Sequence, residues 1–187
     1  MAGIICIETE WQLTKRNCKT TLNTEPLIRF IAELNEVPYL YRRVATIGEL
    51  TYYFKQLQTS SAKKKYNILY LSFHGGTQFI SLEGEKEAIT LSDLTKIGGD
   101  VFENRYVHFS SCRTLLGSED SIESFKNVSK AKVVSGYTKT VASDYSAIHD
   151  IALFNEYINR IKLPNIFKQL NLLYGGLEEI FGFKYFY

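Results

Sequence analysis

Two reactive side chains each follow a run of residues with strand composition. His74 comes directly after the run 67–73, and Cys112 comes directly after the run 105–111. A free thiol is only a few per cent ionised at neutral pH, and a neighbouring imidazole can act as the missing base or hold the thiolate as an ion pair. The sequence therefore predicts that Cys112 is a nucleophile and that His74 is its base and general acid.

The backbone next to these side chains is expected to stabilise an oxyanion. Gly75 has no Cβ, so a substrate carbonyl can approach its N–H group closely. We therefore predict an oxyanion hole made by the N–H groups of Gly75 and Cys112. Cys112 could instead be an inert thiol, because many free cysteines behave as small hydrophobic residues. Its position at a strand end favours the catalytic role.

The remaining cysteines and histidines are not expected to take part in catalysis or metal binding. Cys6 lies inside an apolar strand, and Cys18 lies in a polar loop at 11–23. His108 precedes Cys112 by four residues, about 13 Å along an extended chain, and is expected in the interior. His149 falls within a helix. These residues do not have the spacing of metal ligands, so no metal and no other cofactor is predicted.

The candidate residues depend on an alternation of strands and helices that continues along the chain. The pattern predicts five strands, at 3–7, 39–45, 67–73, 105–111 and 132–137. It predicts helices from Asn23–Pro26, from the capping box Thr46–Glu49 to the lysines at 63–65, at 91–97, from Ser118, and from Ser143 to Pro164. Residues 77–90 are expected to form a hairpin with Gly84 near its turn.

This alternation is typical of parallel strands joined by right-handed crossovers. The predicted fold class is α/β, a three-layer α/β/α sandwich with a mostly parallel sheet, in one domain over residues 1–187. The aromatic segment 165–187 is left without a secure assignment. Its final residues, 181–187, are expected to form a last strand or a cover for the core, and a docking surface for a partner is the alternative.

Composition and charge exclude several classes of protein. Of 187 residues, 45% are hydrophobic, which excludes a disordered chain, and the net charge of +2 gives no support for a nucleic-acid partner. No apolar run approaches the ~18 residues that span a bilayer, and the N-terminus does not resemble a signal peptide. With three cysteines and no Cys-x-x-Cys, a reducing compartment is expected. The prediction is a cytoplasmic protein with neither a membrane nor a nucleic-acid partner.

Four segments, in order along the chain, resemble those of caspase-like cysteine peptidases, in particular the CHAT-type branch. L-Y-L-S-F-H-G-G at 69–76 resembles the His-Gly motif, and V-H-F-S-S-C-R-T-L-L-G at 107–117 resembles the Cys motif. I-T-L-S-D-L at 89–94 and the segment 133–154 resemble the elements that flank them. The resemblance covers about residues 67–158. It implies a caspase-like fold and peptide-bond hydrolysis by a dyad, with His74 as base, Gly75 at the oxyanion hole and Cys112 as nucleophile.

The resemblance also directs attention to the pocket for P1, the substrate residue before the cleaved bond. Relatives that cut after Lys or Arg often carry an acid two residues before the Cys, where this chain has Ser110. Glu8 and Glu10 follow the first strand and Asp144 follows the fifth, so we expect these acids with Ser110 to line a pocket for a basic P1 residue. Asp144 could equally serve the N-terminus of its helix.

The leading hypothesis is therefore a cysteine endopeptidase acting on protein or peptide substrates, and the family context adds a bacterial signalling or defence effector with an activating regulator protein. The alternative is an inactive caspase-like interaction module. A flavodoxin-like nucleotide-binding domain would share the sheet, but the chain has no G-x-G-x-x-G and no G-x-x-x-x-G-K-[ST] motif. The absence of G-x-S-x-G likewise leaves a serine nucleophile unsupported.

Overall fold

The computed structural model describes residues 3–12, 22–160 and 162–187. Most of the loop predicted at 11–23, including Cys18, lies outside these residues. The strands, in chain order, are β1 (Ile4–Thr9), β2 (Tyr39–Val44), β3 (Ile68–Ser72), β4 (His74–Gly76), β5 (Phe79–Ser81), β6 (Ile89–Thr90), β7 (Tyr106–Phe109), β8 (Val133–Tyr137) and β9 (Phe183–Phe186). The helices are α1 (Glu25–Leu34), α2 (Ile47–Leu57), α3 (Ser60–Lys65), α4 (Leu91–Gly98), α5 (Glu119–Ser129), α6 (Ser143–Asn159) and α7 (Leu163–Phe181).

Six strands form the main sheet, in the order β2-β1-β3-β7-β8-β9. The first five are mutually parallel, and β9 pairs antiparallel with β8 at one edge. Strands β4, β5 and β6 form a separate antiparallel sheet of three strands. The prediction of a mostly parallel α/β fold is confirmed, and β2 occupies the other edge, consistent with its charged composition.

Helices cover both faces of the main sheet and produce two hydrophobic cores. Because successive strand residues point to opposite faces, Ile5 and Leu69 face α2, α4 and α5, whereas Ile4 and Ile68 face α1, α6 and α7. These strands are buried on both sides, which explains their continuous apolar runs. The parallel arrangement brings the carboxyl ends of β1, β3, β7 and β8 to one edge, where ligands bind in sheets of this type.

Local signals explain where several helices begin. In α2, Thr46 Oγ1 accepts a hydrogen bond from the Glu49 N–H at 3.3 Å, and Glu49 Oε2 accepts one from the Thr46 N–H at 3.1 Å. This is the predicted capping box. The helix does not continue to the lysines at 63–65, however. It ends at Leu57, and the Thr59 hydroxyl caps a separate helix α3.

One further expectation, the hairpin, is confirmed, and two expectations about helix faces differ from the structure. Strands β5 and β6 form the hairpin expected at 77–90, with Gly84 in a turn of their connection, and β4 adds a third antiparallel strand through a turn at residues 77 and 78. Val128, expected to face inward from α5, is 67% exposed. The spacing of Ile148, Ile151, Phe154 and Ile158 predicts the apolar side of α6, but the buried face is rotated, since Ile148 is exposed and His149 and Asp150 are fully buried. The segment left unassigned consists of α7 and β9.

None of the helices in the described part of the chain has the length and apolarity needed to cross a bilayer.

Candidate active site

The two predicted catalytic residues line the same cavity. Strands β3 and β7 are parallel neighbours with Leu71 opposite Phe109, and the Ser110 N–H donates to Leu71 O at 2.9 Å. The segments that follow these strands therefore leave the sheet side by side. His74 and Cys112 both lie in the wall of a cavity of about 340 Å³ at this edge of the sheet.

A tight turn presents Cys112. The next residue, Arg113, has a φ of 60°, which is uncommon for a residue with a side chain. Its N–H donates to Lys139 O at 3.1 Å, which holds the turn against the segment after β8. That segment also holds the sulfur, because the Val141 N–H lies 3.5 Å from Cys112 Sγ and Val141 O lies 3.7 Å from it. Cys112 is half-buried, so its sulfur is fixed without being sealed from the cavity.

The Gly75 backbone, just after β3, packs tightly against the Cys112 turn that follows β7. A Cβ at this position would lie 2.5 Å from Thr114 Oγ1, 2.6 Å from Cys112 O and 2.9 Å from Ser111 Cβ. Glycine is therefore required for contact with the Cys112 turn, in addition to any approach of a substrate. The Cys112 N–H donates to no backbone carbonyl within the described residues, so it is free to donate to a ligand, as an oxyanion hole requires.

The side chains of Trp11 and Glu83 lie next to the His74 imidazole. The His74 side chain is 55% exposed. The Trp11 ring packs edge-on at a centroid distance of 4.6 Å, and Glu83 Oε2 lies 3.8 Å from His74 Nε2. The Glu83 N–H donates to Thr9 Oγ1 at 3.0 Å, which fixes this loop at the end of β1. A carboxylate at this distance can stabilise an imidazolium ion, a role the sequence alone had not assigned.

Glu8 and Glu10, both expected in the pocket, do not line it. Glu8 is fully buried behind the cavity wall, where its carboxylate accepts from Trp11 Nε1 at 2.7 Å and from the Thr24 N–H at 3.0 Å. It turns inward because it still belongs to β1. Glu10 lies beyond the strand and pairs with the Arg43 guanidinium at 3.2 Å.

Asp144 does not line the cavity either. It is exposed near the first turn of α6, where its carboxylate accepts from the Tyr145 N–H at 3.0 Å. This is the helix-terminus role left open by the sequence. Of the four residues expected to form the pocket, Ser110 alone lies in the wall, and no Asp or Glu is among the described residues that line it.

A buried acid nevertheless lies directly behind Ser110. Asp150, on α6, accepts hydrogen bonds from Ser110 Oγ at 3.0 Å and from Tyr70 OH at 2.7 Å, and both donors line the cavity. Burial acts to raise the pKa of the Asp150 carboxyl, but His108 at 2.9 Å and the Tyr137 hydroxyl hold it below its ordinary value. Asp150 is therefore a buried carboxylate.

Both remaining histidines are buried, which confirms the interior position expected for His108. His108 is fully buried, with Nε2 2.9 Å from Asp150 Oδ1 in poor hydrogen-bond alignment and Nδ1 2.9 Å from Ser135 Oγ. His149 is also buried, and its Nδ1 lies 2.9 Å from Tyr137 OH. Because the Tyr137 proton is donated to Asp150, the His149 nitrogen must donate to the phenol oxygen.

Sequence reasoning missed Trp11, Thr24, Tyr70, Glu83 and Asp150. One signal was available for Asp150. Positions 143, 146, 147 and 150 are spaced as one face of a helix, and three of them are Ser, Ser and Asp. Nothing in the sequence pattern marked the other four, because their place in the site depends on loop paths and strand register.

No group of three or more His, Cys, Asp and Glu side chains is arranged to hold a metal ion within residues 3–12, 22–160 and 162–187. The chain belongs to DUF6642, a family of unknown function, which matches residues 2–187. A search of curated proteins finds no match.

Proposed function

We propose that this DUF6642 protein is a caspase-like cysteine endopeptidase in which His74 activates Cys112. The observation that carries the proposal is the delivery of both residues, from the ends of the neighbouring strands β3 and β7, to the wall of one open cavity. A half-buried thiol and an exposed imidazole in one concave site are the parts that thiol hydrolysis needs.

The chemistry follows from these groups. His74 takes the proton of the Cys112 thiol, and the thiolate attacks the carbonyl carbon of a peptide bond. The N–H groups of Gly75 and Cys112 stabilise the oxyanion of the tetrahedral intermediate. His74 then gives its proton to the leaving amine, which leaves a thioester, and water activated by His74 hydrolyses that thioester to release the acid and restore the thiol.

Hydroxyl groups at the cavity wall favour a substrate side chain that donates hydrogen bonds. Tyr70 and Ser110 both direct their protons to the buried Asp150 carboxylate, and Thr24 directs its proton to buried Glu8. Ser72 Oγ lies 3.1 Å from Thr24 Oγ1, whose own proton is committed to Glu8.

Because a carboxylate can only accept, these hydroxyls are left with oxygen lone pairs for a ligand. An occupant rich in N–H groups therefore fits the cavity best. This supports a Lys or Arg residue at P1, with Tyr70 and Ser110 as contacts and Asp150 as the source of negative charge. Glu8, Glu10 and Asp144 have no direct contact with P1 in this proposal.

The caspase-like, CHAT-type identity of the fold is part of the same proposal. It is supported by the parallel sheet, by the His and Cys at adjacent strand ends and by the small hairpin sheet between them. An activating regulator protein and a cytoplasmic location stay predictions from the sequence.

Labelling with a peptidyl acyloxymethyl ketone tests the proposal. A probe with Arg at P1 is expected to alkylate Cys112, with the adduct located by peptide mass spectrometry. Cys112→Ser should abolish the adduct, and His74→Ala should slow it at least about 100-fold, the usual contribution of a general base. Cys6→Ala is the matched control and should label normally, since Cys6 is fully buried and burial raises the pKa of its thiol.

A second probe with norleucine at P1 separates the two parts of the proposal. Equal labelling by the Arg and norleucine probes would remove the basic preference. Labelling of Cys112 at the same rate in wild type and His74→Ala would overturn the hydrolase and favour the inactive interaction module.

A further inference from the structure

The orientation of the His74 imidazole must be fixed by neighbouring side chains, because most of the His74 side chain is exposed to solvent. An imidazole that takes a proton from sulfur and returns it to an amine must be held in one orientation. With 55% of its side chain exposed, His74 depends on Trp11, whose ring packs edge-on against it, and on Glu83 at 3.8 Å. Trp11 is 8% exposed and supplies the aromatic surface of this contact.

Trp11 is held in turn by Glu8. The indole N–H donates to Glu8 Oε1 at 2.7 Å, a hydrogen bond to a charged acceptor. Glu8 is fully buried near the end of β1 and lies beside Ser72 in the register of β1 and β3. The acceptor is thus part of the rigid sheet, whereas Trp11 lies beyond the strand end.

The remaining donors to Glu8 fix the carboxylate itself. Among the described residues, the Thr24 N–H and hydroxyl and the Tyr41 hydroxyl also donate to Glu8, and the Arg43 guanidinium forms an ion pair with it at 3.4 Å. A buried carboxylate with this many donors cannot reorient without leaving some of them unpaired. Thr24 also contacts Ser72 Oγ at 3.1 Å, two residues before His74.

We propose that Glu8 is a positioning residue for His74 and acts through the indole of Trp11. The sheet fixes Glu8, Glu8 fixes the indole, and the indole restricts the imidazole to the orientation that faces the cavity. Glu8 touches neither the sulfur nor a substrate in this role. The inference rests on the proposed function, since it assigns His74 as the base.

The test is the rate of Cys112 alkylation by iodoacetamide, measured by peptide mass spectrometry. This reagent needs no substrate pocket, so the rate reports the thiol and its base rather than binding. Trp11→Phe keeps an aromatic ring but loses the N–H, and Glu8→Gln loses the charged acceptor. Each should slow alkylation about tenfold, because small misplacements of catalytic groups have effects of this size or larger.

The double variant Glu8→Gln with Trp11→Phe distinguishes positioning from general destabilisation. If Glu8 acts through Trp11, the double variant should be no slower than either single variant. Tyr39→Phe is the matched control, because Tyr39 lies on β2 like the Glu8 donor Tyr41, but its hydroxyl accepts from Arg29 Nε at 3.4 Å and, among the described residues, does not bond Glu8, so Cys112 should react at the wild-type rate. If Glu8→Gln does not fold, Trp11→Phe alone still decides whether the indole N–H matters.

Wild-type rates in folded Trp11→Phe and Glu8→Gln would overturn the inference, and so would losses that multiply in the double variant. The alkylation rate of His74→Ala shows whether a negative result concerns the positioning role or the proposed dyad itself. If wild-type Cys112 reacts no faster than in His74→Ala, the dyad itself is absent. If the wild type is faster and Trp11→Phe matches it, the dyad stands and the positioning role is removed.

Discussion

The two ends of the main sheet each bury a charged side chain, but the partners of those charges differ. At the amino end of β7, the Arg105 guanidinium donates to Leu57 O and Tyr66 O, both at 2.9 Å, and to Val101 O. Burial lowers the pKa of Arg105 to about 10. All three acceptors are main-chain carbonyls near helix ends, so this charge joins helices to the sheet.

At the carboxyl end, Asp150 is bound by side chains instead. Its donors Tyr70 and Ser110 line the cavity, so the buried charge determines which hydrogen-bonding groups the cavity wall offers to a ligand. Burial of a charge is therefore not in itself a sign of function. A buried charge indicates function when the groups that bind it also line a surface that a ligand can reach, as they do for Asp150 but not for Arg105.

The largest expected effect is that of Asp150→Asn. Removing the charge from a buried network that keeps its donors should lower the free energy of unfolding by about 3–5 kcal/mol. It should also reduce the preference of the labelling reaction for Arg over norleucine at P1. Asp144→Asn is the matched control, because the one hydrogen bond of this exposed acid among the described residues is with the Tyr145 N–H, and stability should stay within about 0.5 kcal/mol. An unchanged P1 preference in folded Asp150→Asn would contradict the claim that the Asp150 charge acts on the cavity.

The effect of Asp150 on stability should depend on pH. Burial opposes ionisation of Asp150, but His108 and Tyr137 hold its pKa below the ordinary value. A lowered pKa in the folded state means that the contribution is complete above the unfolded-state pKa of about 3.9 and is lost as pH falls through the folded value. The difference in unfolding free energy between wild type and Asp150→Asn should therefore shrink below about pH 3.9. A difference that stays constant down to pH 3 in urea titrations would contradict it.

Arg105→Met should affect stability without affecting chemistry. Loss of the guanidinium leaves three carbonyls without their donor, and we expect a cost of about 2–3 kcal/mol, partly offset because a buried charge is removed. Alkylation of Cys112 should keep its wild-type rate. Arg42→Met is the control, since Arg42 is exposed on β2, where its guanidinium donates to Tyr41 O at 2.7 Å and lies over the Tyr53 ring, rather than at the buried carbonyls that accept from Arg105. A large loss of Cys112 reactivity in Arg105→Met would show that the two ends are not independent.

Gly75→Ala tests the contact that joins the strand ends at the carboxyl edge. The new Cβ would lie 2.6 Å from Cys112 O, so the turn must shift, at a cost of about 1–3 kcal/mol. Labelling of Cys112 should fall at least about tenfold as the turn moves. Gly48→Ala is the control, because its Cβ would meet only Thr46 Oγ1 at 3.8 Å, and as a helical position it should gain about 0.5–1 kcal/mol. Normal labelling in Gly75→Ala would mean that the turn tolerates displacement.

The order of strands and helices was predictable from sequence because it depends on local patterns. Apolar runs located β1, β3, β7 and β8, and the capping box located the start of α2. The strand ends in turn identified His74 and Cys112 as candidates. Each of these inferences uses residues that are neighbours in the chain.

Side-chain direction near the site was not predictable in the same way. Glu8 and Asp144 were both expected in the pocket, yet Glu8 turns behind the wall and Asp144 remains at a helix end. The inner face of α6 was misassigned because the pattern of isoleucines was followed, whereas the helix buries His149 and Asp150 over the polar centre of the sheet. Such outcomes depend on contacts between distant segments.

A crystal structure of the protein after reaction with the P1-arginine acyloxymethyl ketone tests most directly whether His74 and Cys112 form one reactive site. The expected result is a thioether bond to Cys112 Sγ, the His74 ring within hydrogen-bond distance of the adduct, and the arginine side chain against Tyr70 and Ser110. An adduct at another residue, or a His74 ring turned away from Cys112, would contradict the proposed peptidase.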